Sequence, residues 1–430
     1  MRILIIADEV WNDHIFGNGV LTNWFTNFPA EFAEIYCSPG LPENSVCKRY
    51  FRLTDDEMVK SIIGKGKAGK VVELETPKSD QKMVAMHQGF YAKMKNLSTY
   101  VHTPMMMVRD LIWLYGRYNE NGIKQFIDDF NPDIVFCPRL ATPKLLRLER
   151  YIHQLTEAPV VAFTGDDEAS FREFSWSPLY WLRRCYVRWM FDRVMPIYSH
   201  YFMHSPQQAA YYKKLYGVNT ETLYKCGTLK EAIPKMTVNK PLVMVYAGRL
   251  YCNRWKTLAA IGEALGQINK EVEKIVLHVY TTDTLTNRQK VVLCEENSIY
   301  FKGSVTPSEL TEIYKKADIA LHVESFDRKY KYATRMSFST KIIDLMGSGC
   351  SVMAICWEEQ AGFHYLKKQD VAFCISSYAE IQPTLSKIVA NPRMVCEYAK
   401  KAQECVIKNH SRKHIQQQLI ERFQSLIENK

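Results

Sequence analysis

The feature that most constrains the fold of this chain is a repeated alternation of short apolar runs with longer amphipathic segments. Strand-length runs in the first half are Arg2–Ala7, Glu34–Cys37, Asp133–Cys137 and Pro159–Phe163. Segments with helical spacing lie between them, at Leu21–Phe28, Met105–Asn119, Gly122–Phe130 and Thr142–Leu155. Strands that alternate with helices in this way form βαβ units with parallel strands. The first half is therefore predicted to fold as an α/β domain with a mostly parallel sheet.

The same alternation starts again after a polar segment, residues 226–240, which we interpret as a linker. Strands are predicted at Leu242–Ala247, Lys274–Thr281, Ile299–Lys302 and Ile319–Val323, with helices between them. A chain of 430 residues is long enough for two domains of about 200 residues each. We therefore predict two Rossmann-like α/β domains, residues 1–232 and 233–408, that face each other across a cleft, followed by a helix over residues 409–430.

The composition bears on where the protein is located and on which kinds of binding site it contains. The net charge of +10 is compatible with anionic substrates, an anionic membrane surface or nucleic acid, and does not choose among them. The twelve cysteines are scattered without a C-x-x-C pair or zinc spacing, so neither a metal site nor a disulfide framework is indicated. The first apolar run meets a charge too early for a secretory signal, and no apolar run approaches the roughly 18 residues of a spanning helix. We expect a cytoplasmic protein.

A glycine-containing loop follows the first predicted strand and precedes a helix. It contains Gly17 and Gly19. Its backbone is a candidate for close contact with a ligand at the carboxyl edge of the sheet. A tight turn between strand and helix is the alternative, since such turns also favour glycine.

A second candidate is a short helix in the stretch Ser337–Ala354. Ser339 or Thr340 is predicted to cap its first turn, which carries Lys341 and Asp344. Free backbone amides, hydroxyls and a lysine at a helix start are suited to a phosphate, and an acid one turn later can reach a ribose diol. An ordinary capped helix with a solvated acid is the alternative.

Basic residues follow the strand Leu242–Ala247. Arg249 comes directly after Gly248, and Arg254 and Lys256 lie a few residues further on. Basic groups just beyond the carboxyl end of a strand point into the ligand crevice of an open α/β sheet. Each charge-assisted hydrogen bond to a phosphate contributes about 1.5–3 kcal/mol. For Arg249 alone, a basic surface loop is the alternative.

The strand Ile319–Val323 leads directly into a carboxylate, Glu324. A carboxylate is costly to bury unless it is paired or faces a ligand. Glu324 is therefore a candidate ligand contact, and a helix cap or a salt bridge is the alternative.

Four segments of the second half together resemble the donor-binding half of GT-B glycosyltransferases, especially glycosyltransferase family 4 (group 1). They are Gly248-Arg249-Leu250, Glu324-Ser-Phe326, Lys341-Ile-Ile-Asp344 and Gly347-Ser-Gly349. The resemblance covers about Leu242–Cys356 and implies a GT-B fold, in which the carboxyl-terminal helix crosses back to the first domain.

The same resemblance implies roles for individual residues. Arg249 with Arg254 or Lys256 would neutralise the donor diphosphate, Glu324 would hold the donor sugar, and Asp344 would bind the ribose hydroxyls. Nineteen residues separate Glu324 from Asp344, a longer interval than the family's, and the intervening loop is basic.

Two adjacent acids end a predicted strand of the first half. Asp166 and Asp167 lie where related enzymes often place a His-Asp pair, and they are candidates for contact with an acceptor hydroxyl or for proton handling. A helix N-cap is the alternative. The chain contains no Asp-x-Asp motif, so a metal-bridged diphosphate is not indicated, and basic side chains would stabilise the leaving group.

A segment rich in arginine and aromatic residues begins at Pro178. Trp181, Arg183, Arg184, Arg188 and Trp189 lie in it. A basic helix with tryptophans suits a lipid headgroup interface. An internal helix whose aromatic rings pack in the core and whose arginines reach solvent is an equal alternative. No recognised nucleic-acid-binding module accompanies the segment.

These observations lead to one functional hypothesis. The resemblance implies a retaining GT-B glycosyltransferase with a nucleotide-diphosphate sugar as co-substrate. The absence of an Asp-x-Asp motif predicts that it is metal-independent, and no permanently bound cofactor is expected. Its acceptor would be a lipid-linked or polysaccharide precursor at the inner face of the membrane. A GT-B nucleotide-sugar epimerase and a non-catalytic protein that binds nucleotide or a membrane surface are the alternatives. The sequence does not identify the sugar, the base, the acceptor or the linkage.

Overall fold

A computed structural model describes residues 1–13, 19–72, 99–138, 141–168, 170–172, 174–227, 233–294, 296 and 298–429. These residues divide into two units. The first contains residues 1–171, 175–223 and 416–430, and the second contains residues 172–174 and 224–415. The carboxyl-terminal residues 416–430 thus belong to the first unit, as expected for a helix that returns to it.

The first unit is built on a sheet with the strand order β4-β3-β2-β1-β5-β6-β7-β8. The strands are β1 Arg2–Ala7, β2 Glu31–Tyr36, β3 Arg49–Arg52, β4 Lys70–Val72, β5 Ile134–Pro138, β6 Val160–Thr164, β7 Tyr198–Met203 and β8 Thr220–Thr222. All neighbours are parallel except β3 and β4. The helices are α1 Gly19–Phe25, α2 Asp55–Ile62, α3 Thr99–Tyr115, α4 Glu120–Phe130, α5 Pro143–His153, α6 Pro178–Val194 and α7 Pro206–Tyr216.

The second unit is built on a fully parallel sheet with the order β11-β10-β9-β12-β13-β14. Its strands are β9 Leu242–Ala247, β10 Ile275–Tyr280, β11 Ile299–Gly303, β12 Ile319–Val323, β13 Ser351–Ile355 and β14 Ala372–Ile375. Its helices are α8 Arg254–Ile268, α9 Asn287–Val292, α10 Pro307–Lys316, α11 Arg328–Thr334, α12 Lys341–Met346, α13 Ala361–Gln369, α14 Ile381–Ala390 and α15 Arg393–His410. The last helix, α16, spans Arg412–Glu428.

Both faces of the second sheet are covered by helices. In β9, Met244 and Tyr246 pack in one apolar cluster, whereas Val245 packs in another. The same alternation occurs in β13, between Met353 and Val352. Successive side chains of a strand point to opposite faces, so two cores on one sheet explain why β9 is apolar at every position and β13 at every position after Ser351.

The order of the second sheet creates a switch point between β9 and β12. The chain proceeds from β9 to β10 and β11 on one side, and then returns to β12 on the other side. Ligands of open α/β sheets bind at the carboxyl ends of the strands at such a point. Gly248 follows β9 and Glu324 follows β12, so these two residues flank the switch point.

Among the described residues, no helix combines the length and the apolar character that a bilayer span requires.

Candidate functional site

A cavity of about 540 Å³ opens at the carboxyl ends of β9, β10 and β12, and residues of the second unit line it. Six residues predicted from the sequence lie in this lining: Arg249, Arg254, Glu324, Ser339, Lys341 and Asp344. They are separated by up to 95 positions in the chain and are brought together because parallel strands end at the same edge of a sheet. This grouping defines the candidate site.

Arg254 and Glu324 form a bidentate ion pair in the cavity wall. The Nε and Nη2 atoms of Arg254 donate to the two carboxylate oxygens of Glu324 at 3.0 and 2.7 Å. Their side chains are only 15% and 5% exposed. Burial opposes the charged state, but the hydrogen bond and the charge of Glu324 outweigh it and raise the pKa of Arg254. The Arg254 guanidinium is therefore charged.

Lys341 adds a further positive charge at the same end of the cavity. Its Nζ atom would lie 3.1 Å from a Cβ atom at Gly248, so the ammonium sits directly against the loop that follows β9. Lys341 lines the cavity. Desolvation of its ammonium, together with the positive charge of Arg254, lowers the pKa of Lys341. The end of the cavity between β9 and β12 is thus suited to an anionic group.

Asp344 lies one turn after Lys341 and is paired across the cavity edge. The ammonium of Lys225 donates to both oxygens of Asp344, at 2.7 and 2.8 Å. The Asp344 side chain remains 38% exposed and lines the cavity, so it can still accept hydrogen bonds from a ligand. Lys225 was not predicted from the sequence, because it and Asp344 lie 119 positions apart in the chain.

The α12 helix that carries Lys341 begins differently from the sequence-based prediction. Thr340 occupies the N-cap position, but its hydroxyl makes no capping hydrogen bond. Its φ and ψ of −59° and −23° are already helical, whereas a capping side chain requires an extended backbone. The predicted hydroxyl cap at Thr340 is therefore wrong. Ser339 lines the cavity and Thr340 does not.

The basic residues after β9 separate into two groups. Arg249 lines the cavity, and its Nε atom lies 3.2 Å from Asp283. Lys256 lies outside the lining and pairs at 2.8 Å with Asp327. Of these two residues, the structure therefore places Arg254, and not Lys256, in the lining of the cavity beside Lys341.

Part of the cavity lining is apolar. It includes Tyr280, Val305, Leu310, Tyr314 and Leu345. Aromatic and aliphatic side chains are suited to a flat ring system. Basic side chains, the Asp344 carboxylate and these apolar side chains together suit the parts of a nucleoside diphosphate.

His322 is a residue of the cavity wall that was not predicted from the sequence. His322 lies in β12, two positions before Glu324, and lines the cavity. Residues i and i+2 of a strand share a face, so a histidine within an apolar strand that ends in a candidate acid was the available signal.

The two acids after β6 serve local structure in the first unit. The Asp167 carboxylate accepts from the backbone N–H of Ser170 at 3.1 Å and from its hydroxyl at 2.6 Å. The backbone carbonyl of Asp166 accepts from the side chain of Gln208 at 2.6 Å, while its own side chain is exposed. The alternative interpretation as a helix N-cap is wrong, because a loop follows and the next helix, α6, is capped by Ser177.

The glycine-rich loop is described only in part. Gly17 lies outside the described residues. Gly19 is the first residue of α1, and no atom lies within 4 Å of a Cβ built on it.

The arginines of α6 are largely bound within the first unit. Arg183 donates to both oxygens of Asp110 at 2.7 and 3.3 Å. Arg184 donates to the carbonyl of Ser170 at 2.6 Å. These two guanidinium groups tie α6 to its neighbours and support the interpretation as an internal structural helix.

The rest of the α6 segment combines paired and exposed groups. Arg188 donates to Asp192 at 2.6 Å, and the indole N–H of Trp181 donates to the carbonyl of Ser175 at 2.8 Å. Trp189, by contrast, is half exposed. Of the two tryptophans predicted for membrane contact, Trp181 is therefore held by a hydrogen bond within the protein and Trp189 is exposed.

Comparisons with known proteins agree with this architecture. Residues 249–421 match the model of a family described as glycosyl transferase-like. No curated protein matches the chain by sequence.

Solved structures resemble the chain over its whole length. Sucrose-phosphate synthase from Thermosynechococcus elongatus is 14% identical with a TM-score of 0.62, and the match covers 100% of both chains. Anabaena HepE in complex with UDP is also 14% identical with a TM-score of 0.62, covering 99% of this chain and 100% of the other. A structure described as trehalose-6-phosphate from E. coli bound with UDP-2-fluoro glucose is 9% identical, with a TM-score of 0.58 and coverage of 98% and 99%. The chain therefore has the GT-B fold found in glycosyltransferases, and residues 249–421 are similar to the glycosyl transferase-like family.

Proposed function

We propose that this protein is a glycosyltransferase that transfers a sugar from a nucleotide-diphosphate donor held in the cavity of the second unit. The observation that carries the proposal is the grouping of Arg249, Arg254 and Lys341 with Asp344 and Glu324 at one switch point of a parallel sheet. Basic side chains there neutralise a diphosphate, and the same charges stabilise it as a leaving group when the sugar is transferred.

Each part of the donor has a suitable counterpart in the cavity. The apolar lining residues pack against the base, and the Asp344 carboxylate accepts hydrogen bonds from the ribose hydroxyls. Lys341, Arg249 and Arg254 contact the diphosphate. Glu324 holds the donor sugar, and Arg254 orients its carboxylate through a hydrogen bond of 2.7 Å. Two charge-assisted hydrogen bonds of about 1.5–3 kcal/mol each supply about 3–6 kcal/mol, a range that includes the roughly 4 kcal/mol of millimolar binding before ordering costs.

The acceptor in this proposal is a lipid-linked or polysaccharide precursor, and transfer proceeds with retention and without a metal. The resemblance to glycosyltransferase family 4 motivates retention. Asp166 and Asp167 follow the carboxyl end of β6 and are the candidate acids for the acceptor hydroxyl. Asp166 is exposed, and Asp167 accepts hydrogen bonds from Ser170.

In this proposal the protein is cytoplasmic and binds peripherally to the inner leaflet of the membrane. The contact surface belongs to the first unit. This part of the proposal rests on exposed apolar residues of and before α6, which are Trp176, Leu179, Leu182 and Trp189. The exposed Arg193 guanidinium lies over the ring of Trp189 at 4.0 Å and supplies a positive charge beside it. Aromatic rings and arginines together suit a headgroup interface.

Replacement of Lys341 tests the donor site. Lys341→Ala should raise the dissociation constant of the nucleotide diphosphate about tenfold to a hundredfold, because one charge-assisted contact is lost. Binding is measured by calorimetry after a thermal-shift panel of nucleotide sugars has identified the donor. Lys256→Ala is the matched control, since Lys256 lies outside the cavity. Equal affinities for wild type and Lys341→Ala would refute the donor-site assignment.

Turnover separates the three functional classes. Release of nucleotide that requires an acceptor extract supports a transferase. Conversion of the donor sugar without an acceptor would identify an epimerase, and binding without turnover would identify a non-catalytic protein.

Vesicle sedimentation at low salt tests the membrane part. Wild type should bind vesicles that contain phosphatidylglycerol, and Leu182→Glu should bind them several-fold more weakly, because it places a charge among exposed apolar residues. Val291→Glu is the control, as Val291 is an exposed apolar residue of the second unit. A wild-type protein that stays in the supernatant would rule out this part alone.

A further inference from the structure

His322 is a buried polar residue in the cavity wall whose ring lacks a full set of partners. The residue is only 6% exposed, and its Nε2 atom has no hydrogen-bond partner in the structure. Among the buried side-chain atoms in that state within the described residues, Nε2 of His322 alone belongs to a residue that lines the cavity. Most buried polar atoms in folded proteins are hydrogen-bonded, so this atom requires an explanation.

The charges around His322 locate it at the diphosphate end of the cavity. Glu324, Arg254 and Lys341 are near enough to influence its protonation. Burial is the largest effect, and despite the opposing charge of Glu324 the pKa of His322 is lowered to about 4. The imidazole is therefore neutral near pH 7 and carries one N–H group, which can donate to an oxygen atom without adding a positive charge.

We propose that His322 is a donor-contact residue, whose Nε2 atom forms a hydrogen bond with an oxygen atom of the diphosphate–sugar part of the bound nucleotide sugar. This inference rests on the proposed function, because it deepens the description of the same site. It goes beyond the contacts predicted from the sequence, which assigned the phosphates to basic side chains, backbone amides and the hydroxyls at the start of α12, and which did not include His322. In the ligand-free protein the hydrogen bond is missing, and the ligand supplies it.

The alternative is that His322 serves only to pack β12. A packing residue contributes to stability, whereas a ligand contact that is unsatisfied in the free protein does not. Burying a polar atom without a partner is unfavourable, and its replacement by an apolar group of similar shape is close to neutral or stabilising. Stability and affinity should therefore respond in opposite ways to the same substitution.

Two substitutions separate these roles. His322→Phe keeps a planar ring and removes the polar atom, and His322→Asn keeps a group that can donate a hydrogen bond. We expect His322→Phe to unfold thermally at the same temperature as wild type or a higher one in the absence of ligand. We expect its dissociation constant for the donor to rise about tenfold or more, and His322→Asn to recover part of the affinity.

The probes distinguish a diphosphate oxygen from a sugar hydroxyl. UDP and UDP-glucose are compared by calorimetry, with GDP and GDP-mannose as a second pair for the case in which wild type prefers guanine. A loss of affinity shared by both members of a pair identifies the diphosphate as the partner, and a loss confined to the sugar nucleotide identifies the sugar. His278→Phe is the control, because His278 lies in the neighbouring strand β10 and outside the lining.

The outcomes also separate this inference from the proposed function. If wild type binds none of the probes, the proposed function fails and the inference fails with it. If wild type binds and Lys341→Ala is impaired, but His322→Phe binds like wild type, the inference alone is overturned. A lowered melting temperature of His322→Phe with unchanged affinity would establish a packing role instead.

Discussion

At the scale of single residues, the cavity is organised by ion pairs that leave one cation in excess. Arg254 pairs with Glu324, Lys225 with Asp344 and Arg249 with Asp283. Among the described residues, Lys341 is a lining cation with no carboxylate within salt-bridge distance. Its charge is therefore the one that a diphosphate would neutralise, which explains why it is the first choice for substitution.

The Arg254–Glu324 pair should be costly to break. Either Glu324→Ala or Arg254→Ala leaves a buried charge without its partner, which destabilises a protein by about 3–5 kcal/mol. We expect both single variants to lose stability in urea denaturation, and the double variant to lose less than the sum of the two. Each variant should also bind nucleotide more weakly, because the ion pair belongs to the cavity wall.

The exposed pair Lys256–Asp327 is the control for that experiment. Its side chains are 39% and 35% exposed, and surface pairs contribute only about 0–1 kcal/mol. If Glu324→Ala cost no more stability than Asp327→Ala, the pair in the cavity wall would not be buried in solution.

At the scale of the elements, apolar strands were predicted well and short polar strands were not. The predicted bounds of β1, β9 and β12 agree with the structure. The strands β3, β4 and β8 were missed, because Arg-Tyr-Phe-Arg, Lys-Val-Val and Thr-Glu-Thr are three or four residues long and carry polar side chains. They lie toward the sheet edges, where a strand needs no continuous apolar pattern.

Sequence patterns located the cavity residues but not their partners. Lys341, Arg254 and Glu324 follow strand ends or open a helix, which are local signals. Lys225 and His322 gain their significance from residues that only the folded sheet brings near, and no spacing in the chain encodes that proximity. A salt bridge at Glu324 was one of the alternatives predicted from the sequence and is confirmed. Its partner Arg254 was not identified, since 70 positions separate the two residues.

The pairing of β8 with the last helix predicts a pH dependence. Glu221 in β8 accepts from Gln418 at 2.9 Å and from Arg422 at 3.0 Å, both in α16. Partial burial opposes ionisation, but the contact with His200 in β7, whose Nε2 atom lies 3.5 Å from the carboxylate, these two hydrogen bonds and the charge of Arg422 lower the pKa of Glu221 to about 2. A lowered pKa contributes stability above the unfolded value of 4.5, and this contribution disappears as the pH falls toward 2.

Glu221→Gln measures that contribution. Because Glu221 is partly exposed, solvent screening reduces the effect to about 1–2 kcal/mol. At pH 6 the variant should be less stable than wild type by this amount in urea denaturation, and the difference should shrink as the pH falls below 4.5. A difference that is constant from pH 6 to pH 3 would show that the Glu221 charge does not hold α16.

At the scale of the whole molecule, the two units have separate cores, and the cavity belongs to one of them. The cavity lining comes from residues 246–345, all within the second unit. The first unit takes its last core residues from the end of the chain, where Leu419 and Phe423 are fully buried. Damage to the first core should therefore leave nucleotide binding intact.

Phe423→Ala tests this separation. The Phe423 ring packs against Phe28 and Phe136 with centroids 6.3 and 6.1 Å apart, and its removal leaves a cavity that costs about 3–5 kcal/mol. Calorimetric scanning should show a lowered transition for the first unit, while the nucleotide-dependent increase of the other transition is retained. Gln424→Ala, an exposed neighbour on the same helix, is the control and should change neither transition. If Phe423→Ala abolished nucleotide affinity at a temperature at which the protein stays folded, donor binding would depend on the first unit, and the cavity described for the second unit alone would be incomplete.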